Sequence, residues 1–533
     1  MKLDNNTKLE LLFLTLLSLV ILGFNPGGRD LWAPDEPRYA EIAREMWNGS
    51  GFFLPHLNGE TYCDKPPGFF WLILLFSLPA GEVNMITPRL PSIFLGTATL
   101  VILFLWVKKY QRKIPPLAAP LILLTSYLFW WFGGRANIDI SFTFFITAAA
   151  LSFYHGYREY GGGFSPFYIP AYLALGAGLI IKGPFALFPL AVMIIFFLIR
   201  RDRTAILRLR IPLGIILTMI PVAVWLIPAG MEGGWIYLQR SVLGQIGPRL
   251  ADSPSHPHPF YFYLYMLPLN FMPWSIFLLV VLLGIARKKI LPDTGLKFCL
   301  IWAGTIFLAI SLVSAKQSHY LLPLFPALAV ITARFLTLPE KKGAGAAALI
   351  TFGLLLAMAI GAPLWVGRKF PQYFLPALSC GIILGISVLF GIRSIASGKY
   401  TNLRLFNHLC LSVCLLFIGA NLWILPALNR RKSPRFILQP YIAEESDLPF
   451  AVYCRPSDWS FNYPFFLKNY VLKLFTPEEV IKYARSPGKR YLLARKKYFF
   501  ELTPALRENF RILRERKVGH RELLLLLSGE NEK

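Results

Sequence analysis

Charged side chains are scarce in this chain. Only 16% of its 533 residues are Asp, Glu, Lys or Arg, whereas 55% are hydrophobic. A soluble protein carries about a quarter charged residues, so this composition argues against a soluble fold. Apolar runs recur along most of the chain, and each approaches the roughly 20 residues needed to cross a membrane. Examples are 11–24, 90–107, 184–199 and 346–366. The composition therefore predicts a polytopic α-helical membrane protein.

Other features are also missing. The six cysteines have neither paired nor metal-ligand spacing, and we expect Cys410 and Cys414 to pack inside an apolar run. No glycine-rich phosphate loop is present, so the sequence predicts no nucleotide site. No internal repeat is visible either, although repeats and broken helices are common in transporters. A transporter or lipid flippase remains an alternative that these patterns do not favour.

Acidic residues are few beside the basic ones, 29 against 55, which gives a formal net charge of +26. In a soluble protein this excess would suggest nucleic acid. Here the basic residues lie mostly in short loops between apolar runs, and the preference of such loops for the cytoplasm explains them without a nucleic-acid partner. The basic loops are 108–113, 200–210, 287–289, 340–342 and 393–404. The alternate connections, 25–67, 133–137, 183–184, 231–259 and 316–319, are then extracytoplasmic.

The apolar segment 67–80 decides the number of crossings. If it crossed the membrane, the basic loop 108–113 would fall outside, against the charge rule. It is also short and contains Pro79. We interpret it as an interfacial or re-entrant segment and keep a short crossing as the alternative. The sequence then predicts about 13 crossings, with the N-terminus inside, the C-terminus outside and a transmembrane domain over residues 1–428.

The composition changes after residue 428. Residues 429–533 predict a small extracytoplasmic α/β domain, with strands at 449–453, 491–494 and 523–527. Thr476, Pro477 and Glu479 predict a helix that begins with a capping box, and Thr503 with Pro504 begins another. The domain has no catalytic motif, so a covering or docking role is its simplest interpretation.

The first outer loop carries an unusual set of charges in APDEPRYAEIAREM. Asp35 can cap a helix that has Pro37 in its first turn, and a capping role alone would explain this acid. Apolar residues recur at helical spacing, at positions 39, 42, 43 and 46. The pattern predicts an amphipathic helix along the membrane surface.

Two more charged residues lie at predicted membrane edges. Lys65, in YCDKPP, suits a snorkelling anchor, and it equally suits a point charge that holds a phosphate. Asp139, in GRANIDISF, lies one turn into a predicted span, where a carboxylate is costly unless it is paired or faces water. An ion pair with Arg135, four residues earlier, would explain Asp139 structurally. Both interpretations of each residue stay open on local sequence.

Four basic residues fall on the predicted outer face, against the general trend: Lys65, Lys182, Arg249 and Lys316. An anionic ligand on that face is the simplest explanation of such a cluster. With Asp35 and Asp139, the same region has the groups for phosphate binding and for acid–base or electrostatic catalysis.

Together these motifs resemble the membrane glycosyltransferases that use polyprenyl-phosphate sugars, a group that includes protein O-mannosyltransferases. The likeness is strongest to the 4-amino-4-deoxy-L-arabinose lipid A transferases. It rests on APDEPRYAEIAREM, YCDKPPGFFW, ITPRLPS, GRANIDISFTFF, IIKGPFAL, HPHPFYFY and KQSHYLLPLFPALA. It implies a C-type glycosyltransferase fold and sugar transfer to lipid A or a similar envelope acceptor, on the periplasmic side of a bacterial inner membrane. Transfer of mannose or another sugar to protein is the alternative within the same class.

The resemblance also implies roles for individual residues. Asp35 corresponds to the catalytic carboxylate of the first loop, and Asp139 to a second carboxylate of the same cavity. Lys65 and Arg249 correspond to ligands of the lipid phosphate, and Tyr320 to a further contact on the phosphate side. Three more residues belong to shared motifs without a firm role: Arg38, Lys182 and Asp64, the last of which replaces a Glu of some relatives.

The implied reaction is a single displacement at the anomeric carbon of the sugar, with polyprenyl phosphate as the leaving group. If the acceptor is a hydroxyl, Asp35 is the expected general base. If the acceptor is a lipid A phosphate, Asp35 would orient it or stabilise positive charge on the sugar. Some relatives have a His before the outer-loop Arg, but residues 241–248 contain none, so no metal cofactor is predicted. The oligomeric state stays open.

Overall fold

The computed structural model describes residues 4–160, 165–243, 257–338, 343–398, 400–444, 448–456 and 463–529. The chain divides into two compact units. The first unit comprises Met1–Pro26, Cys63–Leu72 and Arg89–Ile424, and the second comprises Gly27–Tyr62, Ile73–Pro88 and Leu425–Lys533. The second unit therefore combines the first outer loop with the C-terminal residues.

Long apolar helices make up most of the first unit. Within the described residues, nine helices are long and apolar enough to cross a membrane: Asn5–Gly23, Thr87–Tyr110, Ile138–Glu159, Ile211–Ser241, Thr294–Leu312, Ser318–Thr337, Ala344–Lys369, Pro371–Ala396 and Asn402–Lys432. The pair Phe262–Asn270 and Ser275–Ala286, bent by 117°, is a tenth crossing if it counts as one. The predicted multi-pass membrane protein is confirmed.

Shorter helices fill the connections. Three are apolar, namely Gly68–Ala80, Tyr168–Lys182 and Pro184–Arg200. Three more are Ala118–Leu124, Tyr127–Gly133 and Arg203–Arg208. The segment predicted to lie at the membrane surface, 67–80, forms the first of the apolar ones, and its position relative to the membrane stays a prediction.

The first outer loop contains the helix Asp35–Trp47, called the Asp35 helix below, and a short hairpin of β1 (His56–Leu57) and β2 (Glu60–Thr61). The predicted helix is confirmed, and its apolar positions 39, 42, 43 and 46 are all buried. The interpretation of Asp35 as the helix cap is wrong. Pro34 occupies the cap position without a side-chain hydrogen bond, and Asp35 is the first helical residue. Its carboxylate accepts a hydrogen bond from Arg38, one turn later, instead of one from the backbone.

The C-terminal residues form a five-stranded sheet in the order β4-β3-β5-β7-β6. Its strands are β3 (Phe450–Tyr453), β4 (Leu472–Leu474), β5 (Arg490–Arg495), β6 (Arg511–Val518) and β7 (Arg521–Ser528). β3 runs parallel to β4 and β5, whereas β7 is antiparallel to β5 and β6. The three predicted strands are confirmed as β3, β5 and β7.

Helices accompany this sheet along the C-terminal residues: Leu425–Lys432, Arg435–Ala443, Pro464–Leu467, Pro477–Arg485, Lys496–Glu501 and Pro504–Arg507. The predicted capping box is confirmed, because Thr476 accepts from the backbone N–H of Glu479 and the Glu479 carboxylate accepts from the backbone N–H of Thr476. The core is formed by fully buried side chains that include Val480, Leu492 and Leu524.

Candidate functional site

Asp139 occupies the first turn of the helix Ile138–Glu159, in the first unit. The side chain of Asn137 caps this helix and accepts a hydrogen bond from the backbone N–H of Asp139 at 2.8 Å. Ser92 in turn holds Asn137, since its hydroxyl donates to the Asn137 carbonyl at 3.1 Å. A capped helix start fastened to a neighbouring helix fixes the direction of the Asp139 side chain.

The Asp139 carboxylate is buried, with 6% of its side chain exposed, and it is surrounded by basic side chains. The Lys182 ammonium donates a hydrogen bond to Oδ1, and His319 Nε2 lies 3.6 Å from Oδ2. The positive charge of Lys65 also acts on this carboxylate. Arg135, the partner considered from sequence, stacks on Trp131 at 3.7 Å. The partners of Asp139 therefore come from distant parts of the chain.

Lys182 is the last residue of its helix, because Gly183 adopts a left-handed φ of 89° and ends it. Its ammonium lies 4.4 Å from the centre of the Tyr320 ring and 5.4 Å from that of Phe142. At this short range the rings attract the cation, in addition to its pairing with Asp139. The structure thus brings together three of the predicted site residues, Asp139, Lys182 and Tyr320.

The DKPPG motif approaches the helix Tyr168–Lys182 closely. A Cβ atom on Gly68 would lie 2.6 Å from the carbonyl oxygen of Ile180, so this contact requires glycine. Lys65 lies three residues before that contact and is partly buried, whereas the neighbouring Asp64 is exposed. The contact explains why the charge of Lys65 reaches the surroundings of Asp139.

An apolar cavity opens beside the Lys182 ammonium. Its lining combines aromatic and aliphatic side chains with this one charged group: Phe142, Lys182, Phe185, Phe188, Ile310, Val313, Tyr320 and Pro323. A cavity of this composition suits an apolar chain that ends in an anionic head, because the lysine offers the only charge among the lining residues that the structure describes.

His319 is the site residue that the sequence reasoning missed. It stands beside Tyr320 in the KQSHYLLP motif, and its ring meets the Tyr320 ring edge to face at 4.9 Å. The motif was the available signal, but nothing local connected it to Asp139. Lys316, predicted to join the cationic cluster, instead donates to the backbone carbonyls of His258, at 3.0 Å, and Val313.

Asp35 lies in the second unit and pairs with Arg38, which donates to its Oδ1. About a third of the Asp35 side chain is exposed, at 35%, so its carboxylate remains reachable. Burial lowers the pKa of Arg38, but two neighbouring tyrosines and the Asp35 carboxylate raise it more, so the pKa ends above its ordinary value. The guanidinium therefore keeps its positive charge beside the Asp35 carboxylate.

A buried ion pair fixes the segment before the Asp35 helix. Arg29 donates to both carboxylate oxygens of Glu36, at 2.5 and 3.2 Å, and only 6% and 3% of the two side chains are exposed. Glu36 also accepts from the backbone N–H of Trp32 at 3.0 Å. The two ends of the turn that leads into the helix are thereby tied together.

A second acid of the Asp35 helix has unusual chemistry. Burial, followed by the charge of Glu41, raises the pKa of Glu45 from 4.5 to about 7. Its carboxylate accepts from the backbone N–H groups of Asn58, at 2.5 Å, and Gly59, at 3.2 Å. Glu45 therefore links the far end of the helix to the β1–β2 hairpin.

Two predictions reach the limit of what the structure describes. Arg249 lies outside the described residues, and its role stays a prediction. Within the described ranges no group of three or more His, Cys, Asp or Glu side chains is arranged to hold a metal ion. Cys410 and Cys414 are buried, as expected.

Comparisons with known proteins begin with a family model. Residues 64–227 match the model described as dolichyl-phosphate-mannose-protein mannosyltransferase. Among solved structures, ArnT from Cupriavidus metallidurans bound to undecaprenyl phosphate superposes with a TM-score of 0.81 at 16% identity, over 96% of this chain and 97% of that one. An oligosaccharyltransferase of Archaeoglobus fulgidus in its apo form follows at a TM-score of 0.50 and 12% identity, covering 94% and 72%.

Curated relatives are similar over a large part of the chain. An arabinosyl transferase of undecaprenyl phosphate-alpha-4-amino-4-deoxy-L-arabinose from Pectobacterium carotovorum is 28% identical over 405 residues, 74% of this chain and 71% of that protein. The enzyme of the same name from Aeromonas hydrophila is 30% identical over 312 residues, and the match spans little more than half of its length, 56%. An uncharacterized protein of Aquifex aeolicus is 28% identical over 348 residues, covering 65% and 68%.

These findings confirm the predicted fold class, since the described helices and the C-terminal sheet share the fold of ArnT. They also confirm the predicted resemblance to membrane glycosyltransferases that use polyprenyl-phosphate sugars, and with it the predicted class of enzyme.

Proposed function

We propose that this chain transfers a 4-amino-4-deoxy-L-arabinose unit from undecaprenyl phosphate to lipid A or a similar anionic envelope acceptor. The reaction would take place at the periplasmic face of a bacterial inner membrane. The sugar and the carrier follow from the names of the curated relatives, which match up to 74% of the chain. The side of the membrane follows from the distribution of basic loops.

The observation that carries this proposal is the cationic surrounding of Asp139 beside an apolar cavity. Lys182 contacts both the carboxylate and the cavity, and Lys65 acts on the same carboxylate. A polyprenyl phosphate is an apolar chain with an anionic head, so its phosphate suits the lysines and its chain suits an apolar lining. Two lysines near one acid would also compensate a second negative charge brought by the donor.

The proposed reaction breaks the bond between the anomeric carbon and the phosphate oxygen while the acceptor oxygen bonds to that carbon. The phosphate leaves with the electron pair, and a lysine ammonium stabilises the charge that develops on it. We assign this task to Lys65, with Arg249 as the second phosphate ligand. Asp35 would take the proton of a hydroxyl acceptor or orient a phosphate acceptor, and its hydrogen bond from Arg38 would hold the carboxylate in place for either task.

The matched family model favours one other acceptor. Its description names protein mannosyltransferases, and the match includes the residues around Lys65, Asp139 and Lys182. Transfer of mannose from a polyprenyl phosphate to a protein hydroxyl is therefore the second candidate. It uses the same displacement with a different sugar and acceptor.

The test supplies purified full-length protein in detergent with undecaprenyl phosphate 4-amino-4-deoxy-L-arabinose or a polyprenyl-phosphate mannose. Each donor is combined with lipid A or with a Ser/Thr-rich peptide, and the products are identified by mass spectrometry. An increase in the mass of lipid A by one aminoarabinose supports the proposal. An increase in the mass of the peptide by one mannose would instead support the second candidate function.

A further inference from the structure

We propose that the C-terminal part of the second unit is a positioning scaffold for the Asp35 helix, in which Asn429 and Asn58 are the positioning residues. This inference rests on the proposed role of Asp35 and assigns a function to the C-terminal residues, which have no catalytic motif of their own. The contacts that support it lie at both ends of the helix.

The first attachment is a single amide before the helix. Asn429 Oδ1 accepts hydrogen bonds from the backbone N–H of Asp30 and from the Trp32 indole N–H, both at 3.0 Å. Its Nδ2 donates to Oδ2 of Asp30 at 3.2 Å. Asp30 and Trp32 are buried, at 7% and 3% exposed. Three directional hydrogen bonds from one side chain hold this segment more precisely than apolar packing would.

Fixing Trp32 also restricts the position of Asp35. Only two residues separate them, and Glu36 on the far side of Asp35 accepts from the backbone N–H of Trp32. The Glu36–Arg29 ion pair closes the same turn from the other direction. Asp35, the first residue of the helix, therefore follows a short segment that Asn429 holds at its start and Glu36 holds where it enters the helix.

The second attachment lies beyond the far end of the helix. Asn58 and Gly59 form the tight turn of the β1–β2 hairpin, both with the positive φ that an Asn-Gly turn requires. Their backbone N–H groups donate to Glu45 of the Asp35 helix. The Asn58 side chain pairs with the backbone of Val471, since Oδ1 accepts from its N–H at 2.8 Å and Nδ2 donates to its carbonyl at 3.0 Å.

An ion pair reinforces this second attachment. Lys473, in β4, donates to Glu60 of β2 at 2.5 Å. The sheet thus contacts the helix through the hairpin, and the helix is held at both ends by residues from the C-terminal part of the second unit. A group that acts on substrate must be held to about 0.5 Å, and a misplacement of about 1 Å can cost roughly a hundredfold in rate. Loss of either amide should therefore lower turnover.

The test measures steady-state release of undecaprenyl phosphate from its aminoarabinose donor by the full-length protein. Asn429→Ala and Asn58→Ala should each lower kcat about tenfold or more, while KM for the donor stays within about twofold. A purely structural defect would instead lower the amount of folded protein without changing kcat per folded molecule. Asn509→Ala is the matched control and should keep the wild-type kcat. Asn509 is an exposed amide on the same unit, and its side chain donates to the nearby backbone carbonyls of Ala505 and Leu506.

A swap of side chains gives the sharpest readout. Asn429→Asp alone places two carboxylates in contact and should be the least active variant. The double variant combines Asn429→Asp with Asp30→Asn. In it, the amide at position 30 can donate to the carboxylate at position 429. That carboxylate can still accept from the backbone N–H of residue 30 and from the Trp32 indole N–H. The double variant should recover most of the wild-type kcat.

The outcomes separate the two claims. The scaffold proposal would be overturned if both alanine variants kept the wild-type kcat, or if the double variant were no more active than Asn429→Asp. The proposed role of Asp35 would still stand in that case, provided that Asp35→Asn is inactive. An active Asp35→Asn variant would overturn both. If Asn429→Ala does not fold, Asn58→Ala and the swap decide the question.

Discussion

Replacement of Asp139 by Asn should destabilise the first unit more than loss of its lysine partner. Asp139→Asn leaves the Lys182 ammonium, only 10% exposed, without the carboxylate that it contacts. Breaking one side of a buried pair costs about 3–5 kcal/mol. The aromatic contacts of Lys182 with Tyr320 and Phe142 offset on the order of 1 kcal/mol, so we expect a loss of about 3 kcal/mol.

Lys182→Met should cost less, about 1–2 kcal/mol, because Asp139 keeps His319 at 3.6 Å and the charge of Lys65. The double variant should be more stable than Asp139→Asn alone, since it leaves no buried lysine without its acid. The coupling between the two substitutions should therefore reach about 2 kcal/mol.

The assay is unfolding of the purified variants by SDS in mixed micelles, followed by tryptophan fluorescence. Lys496→Met with Glu515→Gln, an ion pair whose side chains are 38% and 47% exposed, is the control and should show no measurable coupling. Additive effects of Asp139→Asn and Lys182→Met, or a larger loss for Lys182→Met, would refute this account of the site.

Three further predictions concern pH, the donor and metals. Because the pKa of Glu45 is raised from 4.5 to about 7, the contribution of Glu45 to stability is complete below about pH 4.5 and is lost as the pH rises through 7. Glu45→Gln should therefore flatten the fall in melting temperature over this pH range. An unchanged slope would contradict this prediction. Lys65→Met should raise KM for the polyprenyl-phosphate donor about tenfold or more, since a hydrogen bond to a charged group contributes about 1.5–3 kcal/mol. Lys489→Met, which removes a partner of Glu444 in the C-terminal residues, should leave KM unchanged. Equal KM values in both variants would remove Lys65 from the phosphate site. Because we propose no metal cofactor, dialysis against EDTA should leave the rate of sugar transfer unchanged, and a loss that Mg²⁺ or Zn²⁺ restores would overturn that proposal.

Local patterns in the sequence predicted those elements whose signals are local. The capping box at Thr476 and Glu479 is complete within four residues, and the structure confirms it. The spacing of apolar positions in the Asp35 helix likewise predicted a buried face. The one local prediction that failed was the cap itself, because the Asp35 carboxylate bonds to Arg38 rather than to the backbone.

The partners of the site residues could not be read from local patterns, because they come from distant segments. Asp139 and Lys182 are 43 residues apart, and Asp30 and Asn429 are 399 apart. Burial of a carboxylate in an apolar helix predicts that some cation must approach it, but several basic residues satisfied that requirement equally well. His319 was missed for the same reason: an imidazole beside Tyr320 is equally compatible with packing and with an ion pair.

The central claim is that this chain cleaves a polyprenyl-phosphate sugar by displacement and that Asp35 takes part. The most direct measurement is a single-turnover experiment in which radiolabelled undecaprenyl phosphate aminoarabinose is mixed with excess purified protein, with and without lipid A. The account predicts that labelled sugar moves to lipid A as free undecaprenyl phosphate appears, and that Asp35→Asn abolishes both. Failure of the folded wild-type protein to release polyprenyl phosphate from any sugar donor or acceptor pair, or full activity of Asp35→Asn, would contradict it.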